Sequence, residues 1–299
     1  MACDGPGSFM RIFLALLIVS RAWGQLQGVI DIHAHSAPDS VARSIDAIDL
    51  ARLAKSRGMR GLVLKNHYES TASLAYVVRK EVPGIEVFGG IDLNRAVGGL
   101  NPAAIERMVL ITGGWGRVIW MPTFDAENQV RFSKENRPFV SVSRNSELVP
   151  EAKQVIALAA KHHLMLETGH SSAEEGLMIV REARKQGVEH IVVTHGMLSP
   201  VRMSVQQMRE AASLGAYIEF VYHAVVGAGK EFQMPEYAKA IREVGAQSCI
   251  LSSDLGQPGS PLHPDGLAAI IVGLRNEGIS QADIDLMSKT NPARALGLN

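Results

Sequence analysis

The sequence predicts an α/β chain folded as a single-domain (β/α)8 barrel of TIM type, and three observations predict it. Eight short apolar runs, rich in β-branched and aromatic residues, recur along the chain. Stretches of helical periodicity alternate with them, and the eight units fill roughly 270 residues, the length of such a barrel. Most of the runs end in polar or charged residues, as strands do when they deliver side chains to a barrel mouth. A doubly wound open sheet would need fewer strands and a phosphate-binding glycine turn, which the sequence lacks.

In order, the predicted strands are "GVIDIHAH", "GLVLKNH", "IEVFGGIDLN", "RVIWMPTFD", "HLMLETGH", "HIVVTHG", "AYIEFVYH" and "SCILSSD". The predicted helices run over 44–57, 71–82, 102–112, 150–162, 172–186, 204–214, 235–244 and 264–277. Ser172 and Glu175 form a capping-box pattern at a helix start, and Gly58, Gly187, Gly215 and Gly245 stand where helices stop. The longest interruption is Ala126–Val149, between the fourth strand and its helix. A loop of that length on the mouth side of a barrel is placed to act as a lid or substrate loop.

The chain has 299 residues, 46% of them hydrophobic, and its 30 basic and 30 acidic side chains balance to a net charge of +0. Nothing in that balance points to nucleic acid or an anionic membrane, so the expected partner is a small molecule, with a homo-oligomer left open. The two cysteines, Cys3 and Cys249, allow neither a disulfide framework nor a paired-cysteine metal site, and Cys249 reads as a core thiol. The stretch "MRIFLALLIVSRAWGQ" resembles a secretory signal peptide cleaved before Gln25. Its apolar run, Ile12 to Val19, is too short to span a bilayer, and no cysteine follows for a lipid anchor. The expectation is a leader over 1–24, a barrel over 25–299, and a periplasmic or secreted protein; a cytoplasmic one is the alternative.

The ends of the strands carry the chemistry. Two residues apart in a strand means one face, so His33 and His35 point the same way, with Val29 and Asp31. Ile30, Ile32 and Ala34 take the other face. Paired neutral imidazoles suit a divalent metal. Lys65 and His67 end the second strand, His170 the fifth, His195 the sixth, Glu219 and His223 the seventh and Asp254 the eighth. Asn94, Arg95, Trp120, Thr123, Asp125, Tyr68 and Tyr222 lie at or just beyond strand ends and are weaker candidates for substrate contact, as are His67 and His223. Glu167 has the opposite parity to His170 and reads as facing the helices.

The HxH on strand one, single histidines on strands five and six and an aspartate on strand eight resemble the amidohydrolase superfamily of metal-dependent hydrolases. The closing "TNPARALGL" is similar to that superfamily's last helix. "DIHAHSAPD", "LKNH", "GGLNP", "TGH", "SSDLGQ" and "NPARALGL" are closer still to a subgroup known mainly as an uncharacterised domain family. The resemblance implies that His33, His35 and Asp254 hold one metal, zinc before manganese or iron. It implies that His170 and His195 hold a second or act on the transition state, and that Asp254 moves the proton of an attacking water. It implies hydrolysis of a small amide, lactone or ester, with metal-dependent decarboxylation and a non-catalytic binding barrel as alternatives. Binuclear members bridge their metals with a carboxylated lysine on strand four, where "VIWMPTFD" has none. Lys65 is the candidate substitute; it could equally bind an anionic substrate or pair with a carboxylate. "KNH" also resembles the polymerase-and-histidinol-phosphatase family, a phosphoesterase alternative, with Asn66 in place of that family's acid.

Overall fold

The computed structural model describes residues 25–298. The leader reading, over residues 1–24, lies outside the described residues. Eight strands run parallel in chain order: β1 (Ile30–His35), β2 (Gly61–Lys65), β3 (Glu86–Asp92), β4 (Gly116–Trp120), β5 (Met165–Glu167), β6 (Ile191–Val193), β7 (Tyr217–Val221) and β8 (Cys249–Ser252). The sheet closes through a parallel bridge between Ala34 and Leu255, with His35 N donating to Leu255 O at 3.0 Å and Asp254 N to His33 O at 2.9 Å. Among the described residues, closure pairs the two end strands of the barrel sheet.

The outer helices are α1 (Ala47–Ser56), α2 (Ala72–Glu81), α3 (Pro102–Val109), α4 (Pro150–Lys161), α5 (Ala173–Lys185), α6 (Val205–Ser213), α7 (Met234–Val244) and α8 (His263–Asn276). They begin and end where local chemistry says they should. Ser172 and Glu175 form the capping box of α5, and Gly58, Gly187, Gly215 and Gly245 take positive φ beyond α1, α5, α6 and α7. No helix among the described residues is long and apolar enough to cross a membrane. Cys249 is buried, and burial pushes its thiol up.

Two apolar layers hold the barrel. Ile30, Ile32, Val63, Phe88, Val118, Trp120, Met165, Val192 and Ile250 fill its interior, and Ala293, Ala295 and Leu296 of the closing helix (Asn291–Ala295) and its end plug the bottom. Asn291 fixes that plug by donating to the carbonyls of Ala246 and Cys249. The second, larger layer lies between strands and helices and includes Val29 and Ala34. In β1 strict alternation therefore fails. Ile30 and Ile32 face the interior, which would send His33 and His35 outward, but a register shift between Asp31 and Ala34 intervenes. The shift lets Ile32 and His33 both turn inward, so the histidines reach the mouth.

The insertion at 126–149 is ordered rather than open coil. It holds a short helix (Glu127–Phe132) and a two-stranded hairpin of Ser143–Arg144 with Glu147–Leu148. Asn128 Nδ2 donates to His170 O and Pro200 O, both at 3.0 Å, which ties the insertion to the loops after β5 and β6.

Candidate metal centre

At the carboxyl ends of the strands a cavity of about 270 Å³ is lined by His33, His35, Lys65, His67, His170, His195, His223 and Asp254, together with Arg43, Gln129, Gln257 and apolar side chains. Its floor is set by β1 and β8. His33 Nε2 and His35 Nε2 each lie 3.1 Å from Asp254 Oδ1, and all three residues are buried. Their donor atoms form one convergent set.

The other ring nitrogens are already committed. His35 Nδ1 lies 2.9 Å from the Lys65 carbonyl, which can only accept, so Nδ1 carries the hydrogen. Burial holds His35 well below the usual imidazole range, despite Asp254, and the neutral ring then presents a bare Nε2 to a carboxylate oxygen. Two acceptors 3.1 Å apart are relieved by a cation between them. His33 Nδ1 faces Glu219 Oε1 at 3.1 Å and Oε2 at 3.3 Å, while its buried Nε2 makes no hydrogen bond. Each imidazole is thus oriented by an outer acceptor, the arrangement that fixes histidine ligands around metals. Ligands about 2.0–2.1 Å from a tetrahedral zinc are about 3.3 Å apart, close to the observed separations. The residues fit a divalent ion held by His33, His35 and Asp254.

Glu219 organises more than His33. It also accepts from Ser252 Oγ at 2.6 Å and from the backbone N of His195 at 2.8 Å. Burial opposes its ionisation, but His33 and these donors hold its carboxyl below the usual range. Glu167 lies beside it, against the reading that places it toward the helices. It is buried, its Oε2 accepts from Thr194 Oγ1 at 2.9 Å, and its carboxylate groups with His33 and Glu219. Counting back from His170 misleads because Gly169, at φ 61°, breaks the alternation; within β5, Glu167 shares the interior parity of Met165. Burial and the neighbouring Glu219 charge push Glu167 up to about 8, so it stands protonated at neutral pH.

His170 and His195 face each other with ring centroids 4.9 Å apart. His170 Nδ1 pairs with Gln129 Oε1 at 2.8 Å, which leaves Nε2 bare. Burial lowers both rings, His195 to about 4. Among the described residues, no third donor joins this pair in a compact set. Two site residues sit in the left-handed backbone region, His195 at φ 28° and Asp254 at φ 51°, a conformation that persists where surrounding contacts enforce it. At Asp254 one such contact is its N–H, donated to His33 O at 2.9 Å.

Lys65 is wholly buried, with Nζ 3.4 Å from Asp92 Oδ2 and 5.4 Å from the Trp120 ring centre. Lys65 thus stands beside a carboxylate, that of Asp92. Asp92 also lies 3.1 Å from His67 Nδ1, and burial pushes it up to about 6 against the pull of Lys65. It ends an apolar strand as the other site residues do, so that signal was there to be read. Asn66, which stands where the phosphoesterase alternative has its acid, donates to Pro38 O and Glu69 Oε1. Asn94 and Arg95 do not line this cavity. Asn94 clasps the loops by bonding His67 O, Thr123 and the Asp125 N, and the Arg95 N donates to Asp125. Arg95 lines a separate surface groove with Phe139 and Glu151. Arg43, from the loop after β1, and Gln129, from the short helix of the insertion, are both missed in the sequence, because neither ends an apolar run.

Solved structures share the whole barrel. An amidohydrolase from Pseudomonas aeruginosa superposes with TM-score 0.60 at 12% identity, over 92% of this chain and 97% of that one. A triple mutant of an organophosphorus hydrolase from Deinococcus radiodurans gives 0.62 at 19%, over 92% and 95%. A 2,6-dihydroxybenzoate decarboxylase from Rhizobium gives 0.56 at 13%, over 91% and 99%. These likenesses establish the fold, and they span hydrolases and a lyase. No curated protein matches the chain. One family model does, over residues 28–219, from the first strand to Glu219. Because that match takes in well over half of the sequence, the chain belongs to the family described as "Family of unknown function (DUF6282)".

Proposed function

We propose that the chain is a metal-dependent hydrolase acting on a small amide, ester or lactone. One observation supports this above the rest: His33 Nε2, His35 Nε2 and Asp254 Oδ1 converge, while the opposite ring nitrogens are held by Glu219 and the Lys65 carbonyl. Bound there, a divalent ion supplies Lewis acidity, lowering the pKa of water and polarising a substrate oxygen. Zinc suits the mixed nitrogen and oxygen donors best, with manganese or iron next.

The chain's own groups do the rest. Asp254 Oδ1 faces the two imidazoles, which leaves Oδ2 to take a proton from water and return it to the leaving group. Burial works against its charge, but His33 and His35 hold the carboxyl well below the usual range, so it starts ionised. His195, neutral and with an unpartnered Nδ1, is placed to hydrogen-bond substrate. Val41, Phe124 and Leu198 shield the reacting centre from bulk water.

The test is a substrate screen with chelated and zinc-reloaded protein in ¹⁸O-labelled water. Zinc-dependent turnover with one label in the product is expected. Turnover indifferent to chelation would contradict the proposal. Decarboxylation is the second reading, favoured by Arg43 and Lys65 in the cavity wall. Carbon dioxide release with no ¹⁸O in the organic product would select it.

A further inference from the structure

The cavity has an uneven charge. Asp254 is the one acidic side chain lining it among the described residues, and the ion site claims that carboxylate. Arg43 and Lys65 also line it. Lys65 lies beneath, with its ammonium turned to Asp92. Arg43 is different. Its side chain is 4% exposed, and Asp39, itself buried, holds it from one side: Nε and Nη2 both lie 2.7 Å from the same oxygen, Asp39 Oδ2. Both donors of that edge converge on this one oxygen, and Nη2, though in ion-pair contact, is left buried without a well-formed hydrogen bond. A guanidinium offers two donors on each edge and suits an acceptor with two oxygens. Here it is fixed in a cavity wall with donor capacity to spare.

We propose that the substrate is a small organic anion whose carboxylate is received by Arg43, which holds the reactive carbonyl toward Asp254 and the histidines. This rests on the reading of the cavity as an active site and adds its substrate class. The field of Lys65 favours the same charge, and an unpaired anion elsewhere in this low-dielectric pocket would be costly. At about 270 Å³ the cavity falls below the roughly 300–1,000 Å³ of pockets for drug-sized ligands, so the molecule is compact. Val41, Phe124 and Leu198 give it an apolar wall, which suits a ring or short branched body.

The probes are benzoate and its neutral isostere benzamide, titrated calorimetrically into zinc-loaded and chelated protein. The variants are Arg43→Lys and the double change Arg43→Met with Asp39→Asn, which avoids leaving a buried carboxylate alone. In wild type, benzoate should bind at least about tenfold tighter than benzamide, as expected for a charge-assisted pair of bonds. That preference should persist after chelation, fall in Arg43→Lys and vanish in the double variant. Equal binding of the two probes to wild type would overturn the proposal without relying on any variant. So would a benzoate preference that survives the double variant or disappears on chelation, since the anion would then sit on the ion. Failure to take up zinc would instead count against the metal reading, while the chelated titrations still decide the role of Arg43.

Discussion

Asp254 concentrates the chemistry at the residue scale, and its backbone makes it testable. At φ 51° it occupies a region that asparagine tolerates well, so Asp254→Asn should fold and keep the shape of the site. Losing the proton acceptor should cut turnover at least about 10²-fold once a substrate is in hand. Near wild-type turnover would move the proton to Glu219 or His223. Glu219 acts through others, as it holds His33 and the backbone of His195 together. Glu219→Gln should weaken zinc binding about 10- to 100-fold, the usual effect of losing an outer acceptor, measured by competition with a chromogenic chelator. His33 gives a pH signature. Burial opposes its charge, but Asp254 and Glu219 outweigh burial and lift it to about 10, so at neutral pH the metal-free ring carries two protons. Zinc must displace the proton on Nε2. Binding should therefore release about one proton and weaken about tenfold for each unit of acidification, read by titration in buffers of different ionisation heat. No proton release would contradict this picture of His33.

Among the elements, most boundaries were legible, because apolar periodicity, caps and terminal glycines agree along the chain. The predicted helix over 172–186 is observed as Ala173–Lys185, and that over 150–162 as Pro150–Lys161. What period-2 counting missed were places where the period breaks. The shift in β1 turns Ile32 and His33 to one side, and the turn at Gly169 separates the parity of Glu167 from that of His170. Such breaks depend on partner strands and backbone conformation, which one strand's sequence does not display. Arg43 and Gln129 were illegible because neither ends an apolar run: Arg43 is held by Asp39 within its own loop, and Gln129 meets His170 only across the fold. Asn94 is a candidate for substrate contact by position, yet the loops take both donors of its amide and two bonds on its oxygen. Gly169 tests the role of the turn. A Cβ there would meet Met121 O at 2.2 Å, whereas Gly187, at similarly positive φ, has nothing within 4 Å. Both alanine variants incur about 1 kcal/mol for backbone conformation, and only Gly169→Ala adds a clash with unyielding backbone. In thermal melts Gly169→Ala should fall clearly further. Equal shifts would mean the loop adapts and that His170 is not held by it.

For the molecule as a whole, the strands supply a stable interior below and the loops supply chemistry above. Ile30, Phe88, Trp120 and Met165 fill the barrel under the site, so losing two ligands at the mouth should spare the fold. Zinc at 100-fold over its Kd should stabilise wild type by about 2.7 kcal/mol, visible as a rise in Tm, and should leave His33→Ala/His35→Ala unmoved. Export is a separate proposal from the sequence: mass spectrometry should find the mature N-terminus near Gln25, and an intact Met1 or Met10 on the abundant soluble form would contradict it. The central claim is that this barrel carries a divalent ion on three named atoms. Anomalous diffraction at the zinc edge, on crystals of the purified protein, tests it most directly. A peak is expected about 2.0–2.2 Å from His33 Nε2, His35 Nε2 and an oxygen of Asp254. A fully loaded crystal with its peak elsewhere, or no peak after zinc is supplied in excess, would contradict it.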